Sequence, residues 1–114
     1  MLTYDIPAHL RGDTWSGISS IVIQTGGVPV DLTNAIIIMQ VREEVDSPVV
    51  LELSTTNGAV QIANDPTIGT FSFLPLIVDI PFDSYIYDIQ ITLQTGYVKT
   101  YLTGSWEILP DITN

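Results

Sequence analysis

Tyr85-Ile86-Tyr87-Asp88-Ile89-Gln90-Ile91-Thr92-Leu93-Gln94 alternates apolar and polar side chains as a half-buried β-strand does. A β-strand points successive side chains to opposite faces, so Tyr85, Tyr87, Ile89, Ile91 and Leu93 share one face. Ile86, Asp88, Gln90, Thr92 and Gln94 share the other. The first set is apolar and is expected to face a core. Thr95-Gly96 follows, and a glycine able to take positive φ makes a two-residue turn there. That turn pairs Leu93 with Val98, Ile91 with Thr100 and Ile89 with Leu102, all on the apolar face. Pattern and turn chemistry therefore agree.

Working outward, Asn57-Gly58 is the preferred pair for a type I′ turn and predicts a second hairpin. It joins Val49–Thr55 to Ala59–Ala63, with Leu53 opposite Ile62 and Thr55 opposite Val60. Further strands are expected near Leu2–Ile6, Ile18–Gln24, Ala35–Glu43 and Thr70–Leu74. Gly26-Gly27 and Asn64-Asp65-Pro66 read as turns, and Leu109–Asn114 as a short extended end. No window of about 11 residues carries apolar positions at helical spacing. The chain is thus expected to be all-β, one domain over residues 1–114, with about seven or eight strands spaced as in a Greek-key sandwich.

Ala35–Glu43 departs from simple alternation. Ala35, Ile37, Met39 and Val41 fill one face, while Ile36 and Ile38 lie on the other. A strand apolar on both faces is usually covered on both sides, whereas a two-layer sandwich covers only one. Ile36 and Ile38 are therefore expected either beneath a loop or at a subunit contact. Tyr101 lies on the face opposite Leu102, where it would meet Gln90 and expose its ring. Ile36, Ile38 and Tyr101 are the candidate partner-contact residues.

Composition removes whole classes of function. Of 114 residues, 46% are hydrophobic and 14% charged, and mean hydropathy is +0.35. Such a chain collapses rather than staying disordered. No stretch approaches the roughly 20 apolar residues of a membrane span. Thirteen acids face three basic residues, a net charge of −10. Arg11, Arg42 and Lys99 are too few and too scattered to displace counterions from nucleic acid or to bind an anionic membrane. There is no cysteine, which removes disulfides, thiolate catalysis and zinc–thiolate sites. Met1–Pro7 lacks the basic and apolar regions of a signal peptide, so the product is expected to stay where it is made.

Candidate chemistry is thin. His9 is the one histidine, and no Gly-x-Ser-x-Gly elbow accompanies it, so a nucleophilic triad is not expected. Asp79, Asp83 and Asp88 lie close in sequence, Asp79 and Asp83 flanking Pro81 in what reads as a loop, and all three read as solvated acids. A weak calcium site or a glycosidase-type carboxylate pair is the sharper alternative, but the glycine-containing spacing of a calcium loop is missing. Gly12-Asp13 reads as a turn after the first strand; display of Arg11-Gly12-Asp13 as an integrin ligand and a local Arg11–carboxylate pairing are the lesser alternatives. Trp15, Trp106, Tyr85, Tyr87, Tyr97 and Tyr101 could stack on carbohydrate, though Tyr85 and Tyr87 fall on the core face. No catalytic, cofactor-binding or metal-binding residue is assigned, and the chain is not expected to be an enzyme.

Several segments taken in order carry a resemblance. They are Arg11-Gly12-Asp13-Thr14, Val30-Asp31-Leu32-Thr33 leading to Val41-Arg42, Gly69-Thr70-Phe71-Ser72-Phe73, Tyr85–Gln90, Gly104 and Asp111-Ile112-Thr113. This order resembles the immunoglobulin-like N-terminal domain of tailed-phage baseplate upper proteins and related small phage virion proteins, over about residues 4–113. The resemblance implies an immunoglobulin-like antiparallel β-sandwich that docks onto other virion proteins. It also implies a place in the virion after synthesis in the bacterial cytoplasm, as a homo-oligomer or in multiple copies. Members of that family continue into a stalk or receptor-binding region, which this sequence lacks, so an adaptor, decoration or connector subunit is expected. Burial of apolar surface and pairing of exposed strand edges would hold it in place. A carbohydrate-binding module attaching a particle to its host surface is the alternative.

Overall fold

In a computed structural model the described residues are 2–111. The end of the expected Leu109–Asn114 extension and most of Asp111-Ile112-Thr113 lie outside them. Among the described residues thirteen strands run in chain order. They are β1 Leu2–Thr3, β2 Ile6–Leu10, β3 Thr14–Trp15, β4 Ile18–Val22, β5 Gln24–Thr25, β6 Val28–Pro29 and β7 Ile36–Arg42. The remainder are β8 Leu51–Ser54, β9 Val60–Ile62, β10 Thr70–Phe73, β11 Leu76–Ile77, β12 Asp83–Thr92 and β13 Val98–Leu109. A 3₁₀ turn covers Pro66–Ile68, and no described segment is α-helical. The protein is all-β.

The largest sheet runs β8-β7-β12-β13, and β1 and then β2 lie along the far side of β13. A three-stranded antiparallel sheet, β4-β10-β9, faces it across the core. Two short ribbons, β5–β6 and β3–β11, complete the fold. The expected purely antiparallel arrangement is corrected at one edge, because β1 and β2 run parallel to β13. No tight turn links these strands, which lie about a hundred residues apart, so turn geometry does not force them to run opposite ways. That edge is thus supplied by the chain's own N-terminal segment.

The alternation from Tyr85 onward is as read. Tyr85, Tyr87, Ile89 and Ile91 are buried, and Leu93 packs against the core from its rim. The turn beyond it is one residue longer than expected. The Gly96 N–H donates to the Leu93 carbonyl, and the Leu93 N–H to the Tyr97 carbonyl. The loop is therefore Gln94-Thr95-Gly96, with Gly96 at φ +91. A three-residue loop ending in a left-handed glycine is the next commonest hairpin solution after the two-residue turn. Val98 consequently pairs with Thr92, Lys99 with Ile91 and Thr100 with Gln90. A bulge between Ile89 and Gln90 then restores the expected Ile89–Leu102 pair and leaves Tyr101 as the extra residue. Val98 and Thr100, expected inside, therefore point outward.

The second expected hairpin does not form. β8 pairs with β7 in the large sheet, while β9 pairs with β10 in the small one, where Val60 opposes Phe73 and Ile62 opposes Phe71. Asn57-Gly58 instead carries the chain from one sheet to the other. Gly58 takes φ +85, but Asn57 is not among the positive-φ residues, and a type I′ turn needs both. A crossover turns Leu53 and Val60 into the core, as a hairpin would, so the apolar pattern does not separate the two. Gly26-Gly27 does make the expected turn, both residues at positive φ, and joins β5 to β6.

Aromatic rings hold the centre. Trp15 and Trp106 lie with centroids 4.8 Å apart, and Trp15 also packs on Phe73 at 6.1 Å. Gly104 stands opposite Tyr87, and a Cβ there would lie 1.8 Å from the Tyr4 carbonyl oxygen. The bare glycine lets the Tyr87 ring cross β13, and its hydroxyl donates to that carbonyl where the chain steps from β1 to β2. Burial holds the Tyr87 hydroxyl well above the usual phenol range.

Candidate interaction surface

The outer face of the large sheet is built by the same alternation that builds the core. With Ala35, Ile37, Met39 and Val41 buried, Ile36, Ile38, Gln40 and Arg42 point away. Register sets these beside their neighbours in rows. Ile36, Thr92 and Val98 form one row, and Ser54, Ile38, Gln90 and Thr100 the next. Glu52, Gln40, Asp88 and Thr103 follow, and then Arg42, Ile86 and Ser105.

These rows divide the face in two. The first two hold no charge, and within them Ile36 is 44% exposed and Val98 52% exposed. The last two carry Glu52, Asp88 and Arg42, and polar contacts through Gln40 link Glu52 to Arg42. Gln40 Nε2 donates to Glu52 Oε1 at 3.1 Å, while Arg42 donates to Gln40 Oε1 and to the Ser47 carbonyl. A shallow hollow beside them is lined by Val45, Ile86, Asp88 and Thr103. An uncharged apolar end on a chain of net charge −10 has the composition of an interface core, from which charges are depleted.

The three candidate contact residues do not share this surface. Ile36 is open to solvent, which removes the reading that a loop covers it, and Ile38 beside it is half-buried. Tyr101 is corrected on two counts. It does not meet Gln90, whose partner is Thr100, and its ring is half-buried rather than exposed. As the bulge residue it turns toward the core rim, in a groove with Leu2, Ile21 and Ile23, and Lys99 Nζ sits 5.1 Å above its ring. Val98 was missed because its orientation hangs on the length of the turn, which no apolar pattern reports.

The remaining candidates are placed apart from this face. His9 Nε2 lies 2.9 Å from the Asp13 carbonyl oxygen, with its ring tilted toward Trp106. Gly12 takes φ +86, so Arg11-Gly12-Asp13 is a turn, and Arg11 pairs at 2.8 Å with Asp111, a hundred residues along the chain, rather than with a local carboxylate. Asp79, Asp83 and Asp88 are all exposed, and Asp83 accepts from the Ser84 N–H. Among the described residues no three His, Asp or Glu side chains gather where a metal ion could sit. Of the six rings considered for stacking on carbohydrate, Trp15, Trp106, Tyr85 and Tyr87 are in the core, and Tyr97 is well exposed. Two further carboxylates brace short turns. Asp31 accepts from the hydroxyl and N–H of Thr33, and Asp65 from those of Thr67, and these bonds lower both acids' pKa. Among known proteins, no family model and no curated sequence matches this chain.

Proposed function

We propose that the chain is a small structural subunit of a tailed-phage particle, an immunoglobulin-like Greek-key sandwich that packs against neighbouring virion proteins. Strand order supports the architectural part. An immunoglobulin sandwich sets its second, fifth and fourth strands in one sheet and its third, sixth and seventh in the other. β4-β10-β9 and β7-β12-β13 follow that order, with β8 added beside β7. The chain crosses between sheets from β4 to β7, from β8 to β9 and from β10 to β12. The Tyr85 hydroxyl donates to the Pro81 carbonyl at the start of β12. This contact is similar to the tyrosine corner found at that point in such sandwiches.

The observation that carries the functional part is the uncharged outer end of the large sheet, Ile36 and Ile38 beside Val98 and Thr92. Docking uses this face, while acidic surroundings repel wrong contacts. Mass spectrometry of purified particles from the phage whose genome encodes the chain is the test. Its peptides should co-sediment with intact particles, and particles carrying Ile36→Asp should retain less of it. A chain absent from the particles, or encoded outside any phage genome, removes the reading.

A further inference from the structure

Among the described residues no strand lies beside the outer edge of β8, and we propose that the Asn57 side-chain amide fills a strand-binding site there, keeping the large sheet from extending into a second copy of this chain. The Thr55 N–H donates to the Ile37 carbonyl, so residues 51, 53 and 55 turn their backbone groups toward β7. Alternation in an antiparallel ladder turns those of Glu52 and Ser54 the other way, to the outer edge, where the Ser54 carbonyl also accepts from the Ala59 N–H at 3.1 Å. An added strand binds such an edge by accepting from one N–H and donating to a carbonyl. Asn57 does both. Its Oδ1 accepts from the Ser54 N–H at 3.0 Å, and its Nδ2 donates to the Glu52 carbonyl at 2.9 Å. The side-chain amide, with its acceptor and donor on one side, thus stands in for the backbone C=O and N–H of one residue in a neighbouring strand.

The amide is held in place. The Asn57 N–H donates to Ser54 Oγ at 3.1 Å, and Oδ1 takes a second bond from the Ala59 N–H at 3.1 Å. The other edges are blunted by different means. Pro7 on β2 has no N–H to offer, Ser20 at φ +58 distorts β4, and β9 is three residues long. Leu51-Glu52-Leu53-Ser54 contains no proline or lysine. The occupant it fits is the same edge of a second copy. Antiparallel pairing centred on Leu53 sets Glu52 opposite Ser54 of the other copy, so the two acids do not face each other.

The test is made in an Ile36→Asp background, so that contacts through the outer face do not contribute and the two readings fail separately. Amide exchange at the buried Ser54 should be on the order of tenfold faster in Asn57→Ala than in the parent. Sedimentation velocity should show Asn57→Ala associating at concentrations where the parent sediments unchanged. Adding Glu52→Pro, which removes an outward N–H and no bond to β7, should restore the parent's behaviour. Asn57→Asp keeps both acceptor bonds and loses only the donor to Glu52, so it should fold, protect Ser54 and associate less than Asn57→Ala. Should Asn57→Ala not fold, association of Asn57→Asp beyond the parent supports the proposal and its absence overturns it. Ser54 exchange no faster in Asn57→Ala than in the parent, or association that Glu52→Pro leaves intact, also overturns it.

Discussion

β7 carries isoleucine on both of its faces, and the two faces have opposite fates. Ile37 is completely buried against the small sheet, whereas Ile36, one residue earlier, is 44% exposed. Their hydrophobicity is the same, so the strand itself does not decide which face becomes core. That decision belongs to the small sheet, which lays Phe71 and Phe73 over one side only. Each inner isoleucine gains about 1.5–3 kcal/mol from burial. The outer ones gain comparably only if another surface covers them. The same strand thus serves stability inward and contact outward.

The sharpest way to break this comparison is to truncate both sides. Ile37→Ala should destabilise the domain by about 2–5 kcal/mol, while Ile36→Ala should stay within about 0.5 kcal/mol. Urea denaturation of the two variants reads this, and equal losses would mean that the outer face belongs to the core. Gly104→Ala tests the edge where the inner face meets the N-terminal strand. A methyl group has no room beside the Tyr4 carbonyl, so a loss of about 1–3 kcal/mol is expected, with faster amide exchange at Tyr4, whose N–H bonds the Thr103 carbonyl.

Tyr87→Phe removes one part-buried hydrogen bond and should lose about 1 kcal/mol near neutral pH. It also predicts a pH signature. The folded pKa of Tyr87 is raised above the unfolded value of 10.0, so its contribution is full below that pH and is lost as pH rises beyond it. The parent's melting temperature should fall above about pH 10, and Tyr87→Phe should flatten part of that fall. Tyr85 and Tyr101, shifted in the same direction, retain the rest. The smallest effect lies outside both faces. Asp65 caps the 3₁₀ turn with a lowered pKa, so its contribution holds above the unfolded value of 3.8 and disappears as pH falls through the folded one. Thermal melts of Asp65→Ala and the parent should differ slightly at neutral pH and converge in strong acid.

The candidate surface was half legible. Ile36 and Ile38 declared themselves because two apolar residues interrupt an alternating strand. Val98 did not, because Thr95-Gly96 fits a two-residue turn as well as the end of a three-residue one, and a single residue of turn length reverses every side chain up to the bulge. Tyr101 was misplaced for the same reason. Asn57 was read as a turn former, and its bonds to Glu52 and Ser54 depend on the chain changing sheets rather than folding back.

Alternation along the chain was enough to make it all-β, to turn Tyr85, Tyr87, Ile89 and Ile91 inward, and to put Ala35, Ile37, Met39 and Val41 on one face of β7. Period-two alternation is a local property, and the gain from burying one whole face enforces it. Tertiary structure alone decided which strands became partners. It assigned β9 to the small sheet, laid the N-terminal strands parallel to β13, and put a bulge at Tyr101. Those choices rest on contacts between residues distant in the chain, where hairpin and crossover bury the same side chains and only the assembled core distinguishes them.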